Sequence, residues 1–149
     1  MIFDRTIEDV LAALKIREKK IKNFLELTSD EKIILDKGFL TISTINRIEE
    51  KQAELSLELQ KIGYFNATIE TKVWSNENVF GMTDFRRIID NAEHLRKAFF
   101  VHSTTPLAPE PKYHFKVLND LEKILYDIEE MINFVKQNYE ECGNFECGE

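Results

Sequence analysis

Glycine and proline are scarce in this sequence of 149 residues, which contains five Gly and three Pro. Because these two residues mark turns and interrupt regular structure, their scarcity argues against long loops. All three prolines fall in one stretch, residues 103–111. We therefore expect helices to dominate the fold, with one clear interruption at that stretch.

Long apolar runs are also absent. No run approaches the roughly 20 apolar residues that a membrane-spanning helix needs. The first ten residues, MIFDRTIEDV, carry acids where a signal peptide has an apolar stretch. We therefore expect a protein without a membrane span that is made and folded in the cytoplasm.

The sequence lacks the familiar catalytic signatures. It contains no HExxH, Walker, GxGxxG or GxSxG motif. The three histidines, His94, His102 and His114, have spacings that match no metal-binding motif. We predict that the protein is not an enzyme and has no catalytic, cofactor-binding or metal-binding residues.

Only two cysteines are present, Cys142 and Cys147, on either side of a Gly-Asn turn signal. Two thiols cannot complete a tetrahedral zinc site, although a symmetric oligomer could supply the other ligands. A disulfide across the turn is sterically conceivable but is disfavoured in a reducing cytoplasm. We interpret the pair as free cysteines in a terminal hairpin.

Charge is distributed unevenly along the chain. The formal net charge of −7 comes entirely from residues 120–149, which hold nine acids against Lys123 and Lys136. Such an acidic region repels nucleic acid and anionic membranes, and we expect neither as a partner. The basic residues of the first helix cluster at Lys15, Arg17, Lys19, Lys20 and Lys22. We interpret this cluster as a solvated helix face, and a patch for nucleic acid or an acidic partner is the alternative.

Heptad spacing of apolar residues is the strongest positive signal. In residues 44–62 an apolar seam recurs at steps of three and four, interrupted by Gln52. Its members are Ile45, Ile48, Leu55, Leu59 and Ile62. The acids of the same helix, Glu49, Glu50, Glu54 and Glu58, are interpreted as a solvated face.

A longer and unbroken seam runs through residues 113–139. Its members are Leu118, Leu121, Leu125, Ile128, Ile132, Val135 and Tyr139. A seam of this kind must be covered, either by the rest of the same chain or by copies of itself. The two seams are our predicted helix interfaces, and we expect the protein to be its own partner as a homo-oligomer, for which a trimer is one arrangement.

The pattern as a whole predicts a mainly α fold, a helical bundle with one short β segment. The predicted helices span about 6–27, 29–37, 44–62, 83–101 and 113–139. Thr6 with Asp9 and Thr28 with Glu31 have the spacing of capping boxes, so the first two helices should begin there and form a hairpin. Three regions follow: a body of residues 1–102, a proline-rich linker of residues 103–112, and a C-terminal helix with its tail in residues 113–149.

Residues 64–74 change to a period of two and are rich in β-branched side chains, which predicts a strand. Little else in the chain could pair with it, apart from residues 39–42. We hypothesise that this strand adds to the edge of another chain. Its candidate interface residues are Phe65, Ile69, Val73 and Trp74.

Several segments together resemble one group of proteins. In chain order they are GFLTISTINRIEEKQAELSLEL, KVWSNENVFGMTDFRRIIDNAEHLR, TTPLAPEP, NDLEKILYDIEEMI and CGNFECGE. Their combination and order resemble small structural proteins, or modules of longer fibre proteins, encoded in tail gene clusters of phages of Gram-positive bacteria. Phage-derived contractile bacteriocins carry similar clusters.

This resemblance implies a non-enzymatic part of the tail tip or baseplate, present in several copies and assembled into the tail or tail-like particle. Such parts link the baseplate to tail fibres, so other tail and baseplate proteins are the implied partners. The sequence contains no β-rich region of the sort that recognises cell surfaces, which favours an adaptor role over receptor binding. The alternative is a small cytoplasmic regulator or tail-assembly chaperone that binds a basic partner through its acidic last helix.

Overall fold

The computed structural model describes residues 1–21, residue 23 and residues 25–142, with the backbone alone for residues 139–142. Five α-helices cover most of this range, as the sequence predicted, and the described residues contain no β-strand. The helices are α1 Ile7–Ile16, α2 Ser29–Gly38, α3 Ile42–Lys61, α4 Met82–Ala98 and α5 Phe115–Cys142. No helix in the described part of the chain is both long and apolar enough to cross a membrane.

Helices α3 and α5 lie side by side and run in the same direction. Lys51 Nζ lies 3.0 Å from Glu129 Oε1, and Glu58, seven residues further along α3, pairs with Lys136, seven residues further along α5. Helix α4 runs the same way. Its Arg87 pairs with Glu49 of α3. The next residue of α4, Ile88, accepts a 2.7 Å hydrogen bond at its backbone carbonyl from Gln52, which lies three residues after Glu49 on α3. We call α3, α4 and α5 the three-helix bundle.

Because the three helices are parallel, the chain must travel back along the bundle twice. Residues 62–81 form the first return segment and residues 99–114 the second. Tyr64 meets Phe99 edge to face at 4.9 Å where α3 and α4 end. Phe85 stacks on Tyr113 at 5.4 Å where α4 and α5 begin. We call the end where the bundle helices begin its near end, and the other its far end.

The prediction of a strand at residues 64–74 is wrong. The segment is extended but makes no β ladder, because no other described strand lies beside it. Residues 39–42, the other candidate, are a short link into α3, which begins at Ile42. Burial does not alternate along the segment: Ala67 and Trp74 are buried against the bundle, whereas Phe65 and Val73 face solvent.

Helices α1 and α2 form the predicted hairpin at the near end, which we call the N-terminal hairpin. Both predicted capping boxes are present, with Thr6 paired to Asp9 and Thr28 to Glu31. The first helix is shorter than predicted, because the α-helix ends at Ile16 and continues as a π-helical turn over Arg17–Ile21. The two helices pack mainly on each other.

One core fills the bundle. It is built from the inner faces of α3, α4 and α5 together with Ala67 and Trp74 of the first return segment. The second return segment adds Ala108 to this core, and its Thr105 hydroxyl donates a 2.7 Å hydrogen bond to Asp127 of α5. The proline-rich stretch therefore lies against the last helix.

Candidate interaction surfaces

The residues of the two predicted seams lie in the core of a single chain. Of the eleven whose side chains the structure describes, nine are buried: Ile45, Ile48, Leu55, Leu59, Leu118, Leu121, Leu125, Ile128 and Ile132. The other two, Ile62 and Val135, are partly buried against the same core. Tyr139 lies outside the residues whose side chains the structure describes. The seams are therefore covered by each other and by α4, and a surface for a second chain has to be sought elsewhere.

The four residues proposed as a strand interface separate into two groups. Trp74 is buried, stacks edge-on against Phe80 at 5.0 Å, and belongs to the core. Ile69 is half-buried against the core. Phe65 and Val73 are 77% and 86% exposed.

The first return segment is held by a buried carboxylate. Glu49 of α3 has a side chain only 1% exposed and pairs with both terminal nitrogens of Arg87. It also accepts a 2.9 Å hydrogen bond from the indole N–H of Trp74 and another from the backbone N–H of Lys72. The interpretation of Glu49 as part of a solvated face is wrong, because this carboxylate fixes the return segment to two helices.

Amide and hydroxyl side chains complete that attachment. Asn46 accepts from the Trp74 backbone N–H at 2.7 Å and donates to its carbonyl at 2.9 Å. Asn91 donates to the carbonyl of Glu70, and Ser56 to the carbonyl of Ala67. The polar groups of this segment are therefore satisfied by side chains where a strand would use a neighbouring strand.

A second buried ion pair ties the N-terminus to α5. The Arg5 and Glu122 side chains are both fully buried, and Arg5 Nη2 lies 2.6 Å from Glu122 Oε1. Arg47 of α3 reaches the same oxygen at 2.9 Å. Asn119 accepts from the backbone N–H of Arg5 at 3.1 Å and donates to its carbonyl at 2.9 Å. No sequence pattern pointed to these residues, because the partners are more than 70 positions apart.

Much of the acid on α5 is used inside the molecule. Glu122 is in the buried pair, Asp127 is buried beside Lys123 and Thr105, and Glu129 pairs with Lys51. Among the described acids of this helix, Glu130 is the exposed one. The described part of α5 therefore offers little free negative charge to a basic partner.

The N-terminal hairpin exposes most of its large apolar residues. Ala13 and Gly38 are buried where the two helices touch, whereas Ile7 and Leu11 of α1 face outwards. The exposed members are Ile7, Leu11, Ile21, Leu25, Ile33 and Ile34, with exposed fractions between 37% and 64%. We call this set the hairpin stripe. Exposed apolar side chains mark a contact site where they form one patch.

A cavity of about 340 Å³ separates the hairpin from the near end of the bundle. Ile7, Val10 and Gly38 line it from the hairpin, and Phe85 and Phe115 from the bundle. The hairpin is therefore separated from part of the bundle, and it is attached through the Arg5 ion pair and through the Thr44 hydroxyl, which donates to the Asp36 carbonyl at 3.1 Å.

The far end of the bundle carries a second group of exposed apolar residues. They are Leu57, Phe65, Phe100 and Phe134. Leu57 is in the last turns of α3, Phe65 and Phe100 directly follow α3 and α4, and Phe134 lies beside the last turns of α3. We call this set the far-end cluster.

No metal site is formed by the residues that the structure describes: no group of three or more His, Cys, Asp or Glu comes together among them. His94 bonds through Nε2 to the Asn66 carbonyl at 2.7 Å. The side chain of Cys142 and the whole of Cys147 lie outside the described residues, so the interpretation of free thiols stays a prediction.

Comparison with known proteins finds no match: no family model, no curated protein and no solved structure is similar to this chain.

Proposed function

We propose that this protein is a non-enzymatic structural component of a phage tail or of a phage-derived contractile particle. In this proposal it acts at the tail tip or baseplate and links the baseplate to the tail fibres. The resemblance of five segments, in chain order, to proteins of such tail gene clusters suggests the setting. The fold is compatible with an assembly part, since its described polar clusters serve to hold segments of the chain together.

The observation that carries the proposal is the hairpin stripe. The bundle closes its own seams, yet six large aliphatic side chains on the hairpin stay in water. Exposing such residues brings no gain to an isolated chain, whereas burying each against a partner stabilises the contact by about 1–2 kcal/mol. A two-helix arm joined to a well-packed body is suited to docking onto a neighbouring subunit.

The regulator or chaperone alternative has less support. It requires the acidic last helix to bind a basic partner, and three acids of α5 are engaged inside the molecule. A basic partner would have to break these pairs or rely on Glu130 and the residues that follow. The exposed surface with the clearer character is apolar and lies on the hairpin.

Deletion of the coding sequence in a lysogen or bacteriocin-producing host tests the proposal. A structural adaptor predicts that particles still form but lack fibres or a complete baseplate in electron micrographs. A regulator or chaperone predicts fewer particles of normal appearance. Normal particles in normal numbers would contradict both readings.

Complementation with surface variants connects the result to the hairpin. Ile21→Glu with Leu25→Glu places two charges on exposed positions of the hairpin stripe, so the fold should persist while assembly fails. Val79→Glu is the matched control, because Val79 is 90% exposed and lies on the first return segment. Full complementation by the hairpin variant would remove the hairpin from the proposal.

A further inference from the structure

The cavity between the N-terminal hairpin and the near end of the bundle has walls that come from both parts. Val10 and Gly38 line it from the hairpin, Phe85 and Leu118 from the bundle, and Phe39 from the link between them. These walls are apolar and partly aromatic. Concave sites with such walls and a volume of a few hundred Å³ are where proteins bind small molecules.

The hairpin cannot close this cavity by settling onto the bundle. Arg5, just before α1, is paired with Glu122, and Asp36, in the last turn of α2, accepts a 3.1 Å hydrogen bond from Thr44. Both segments that join the hairpin to the bundle are therefore fixed. Movement of α1 towards α2 is blocked as well, because Gly38 packs so closely on α1 that it has no space for a Cβ atom.

The volume of the cavity sets the size of an occupant. At about 340 Å³ it is roughly twice the apolar cavity that holds one benzene molecule. Apolar cavities of that kind stay free of water, because their walls offer water no hydrogen bonds. The cavity therefore has room for two fused or linked rings, and its interior favours an apolar molecule over water.

Polar groups lie where the cavity opens to solvent, since Tyr113 and His114 line it and are both exposed. Tyr113 stacks on Phe85 at 5.4 Å. His114 stacks on Phe115 at 4.5 Å, and its Nδ1 accepts the backbone N–H of Lys116 at 3.2 Å. The proton of the neutral His114 ring is therefore on Nε2, which can donate. The opening offers a phenol hydroxyl and an imidazole N–H to one polar group.

We propose that this cavity binds a small neutral molecule that has an aromatic body of about two rings and one polar group. The body lies against Phe85 and the other apolar walls, and the polar group meets Tyr113 and His114 at the opening. Aromatic rings suit this site because the rings that line it already stack on their neighbours. This site is separate from the assembly role proposed above, since it needs one chain by itself.

A bound molecule would also fasten the hairpin to the bundle. It would touch Val10 on the hairpin and Leu118 on α5 at the same time, across a space that otherwise keeps the two parts apart. A ligand that binds only the closed arrangement stabilises that arrangement. Occupancy should therefore slow hydrogen exchange at the amides of α1 and α2.

Calorimetric titration of the full chain with 2-naphthol tests the proposal, because this neutral molecule has two fused rings and one hydroxyl. We expect one molecule to bind per chain, with a dissociation constant on the order of 0.1 mM for a ligand of this size. Methyl NMR of the unchanged protein locates the molecule. Signals of Val10, Leu40 and Leu118 should shift on binding, whereas those of Leu57 and Val73, exposed elsewhere, should not.

A cavity-filling variant and two controls make the result specific. Val10→Trp places an indole in the space and should weaken binding at least tenfold. Val79→Trp, the same substitution at an exposed position, should bind as the unchanged protein does. The hairpin variant Ile21→Glu with Leu25→Glu should also bind normally, because neither residue lines the cavity. Circular dichroism should show that each variant keeps its helix content.

Three outcomes would overturn the inference. These are the absence of saturable binding, methyl shifts at Ile21 and Leu25 in place of the cavity residues, and a folded Val10→Trp variant that binds as tightly as the unchanged protein. The methyl measurement uses the unchanged protein, so it decides the matter even where Val10→Trp fails to fold. The deletion experiment decides the proposed function separately.

Discussion

Buried charge at Glu49 performs a structural task that apolar residues could not perform. The carboxylate accepts hydrogen bonds from Arg87, the Trp74 indole and the Lys72 backbone, so three separate parts of the chain meet on two oxygen atoms. A carboxylate is expensive to bury alone, but here each oxygen is fully used. The cluster therefore fixes where the first return segment lies.

Replacing Glu49 by Leu should lower the free energy of unfolding by about 3 kcal/mol, because the buried Trp74 N–H would lose its acceptor and the partly buried Arg87 would lose its ion pair. Urea denaturation followed by circular dichroism measures the loss. Glu50→Leu is the matched control, since Glu50 is the exposed neighbour on the same helix. Equal effects of the two substitutions would show that the cluster has no special role.

Gly38 is needed for the close approach of α1 and α2. A Cβ atom at this position would lie 2.4 Å from Ala13 Cβ and 2.5 Å from the Asp9 carbonyl oxygen. We predict that Gly38→Ala separates the two helices and destabilises the hairpin by about 1–3 kcal/mol.

Hydrogen exchange at the amides of α1 and α2 measures this change without requiring global unfolding. Gly81→Ala is the control, because its Cβ would meet only Asp84 Oδ2 at 4.0 Å. Unchanged exchange in the hairpin of Gly38→Ala would contradict the packing described here.

Ion pairs at Glu58 make the stability of the folded state depend on pH. Hydrogen bonds from Lys136 and Lys61 lower the pKa of Glu58 from 4.5 to about 2. Because the pKa of Glu58 is lower in the folded state, the unfolded chain protonates this carboxylate at a higher pH than the folded chain does. The stabilisation is complete above pH 4.5 and is lost as the pH falls towards 2.

Glu58→Gln should therefore reduce the loss of stability between pH 5 and pH 2.5, by about 0.5 kcal/mol because the group is partly solvated. Urea midpoints measured at several pH values check this. Glu50→Gln, a carboxyl on the same helix without an ion pair among the described residues, should leave the slope unchanged. A slope that Glu58→Gln does not alter would contradict the assignment.

At the scale of elements, the return segments explain why the strand prediction failed. The alternation at residues 64–74 does not correspond to one buried face, since Phe65 and Val73 are exposed while Ala67 and Trp74 are buried. A strand would also require a neighbour. Here that neighbour is a helix surface, and side chains such as Asn46 replace the ladder. The local sequence shows the alternation of residue types, but it does not indicate which groups will form hydrogen bonds with the backbone.

Asn46→Ala should open the first return segment locally while the bundle persists. The Trp74 N–H and carbonyl would lose their partner, which favours local opening by about 1–2 kcal/mol. Hydrogen exchange at the Trp74 amide should quicken by roughly tenfold, with α5 amides unaffected. Asn66→Ala is the control, because the Asn66 contact with His94 uses the backbone carbonyl alone. Equal protection of Trp74 in both variants would contradict this description.

For the whole molecule, helix content, the capping boxes and the hairpin were predictable because their signals are local. Periodicity identified the inner faces of α3 and α5, and capping spacing placed the starts of α1 and α2. The parallel direction of the bundle was not predictable, since it depends on pairs such as Arg47 with Glu122, 75 positions apart. The exposure of the hairpin stripe could not be predicted for a related reason. A pattern of apolar residues indicates that a helix face will be covered, but it does not indicate which chain will cover it.

The resulting molecule has a closed bundle and a two-helix arm that exposes apolar side chains. This separation of a self-sufficient core from an exposed arm is the physical basis of the proposal that the chain is an assembly part.

Peptide mass spectrometry of tail particles purified from an induced bacterial culture that encodes this chain shows whether the protein is part of the particle. A structural component should give peptides from this chain in washed, intact particles at a constant ratio to a major tail protein. That ratio would also provide the copy number. Peptides confined to the soluble lysate would contradict the account and favour the regulator or chaperone.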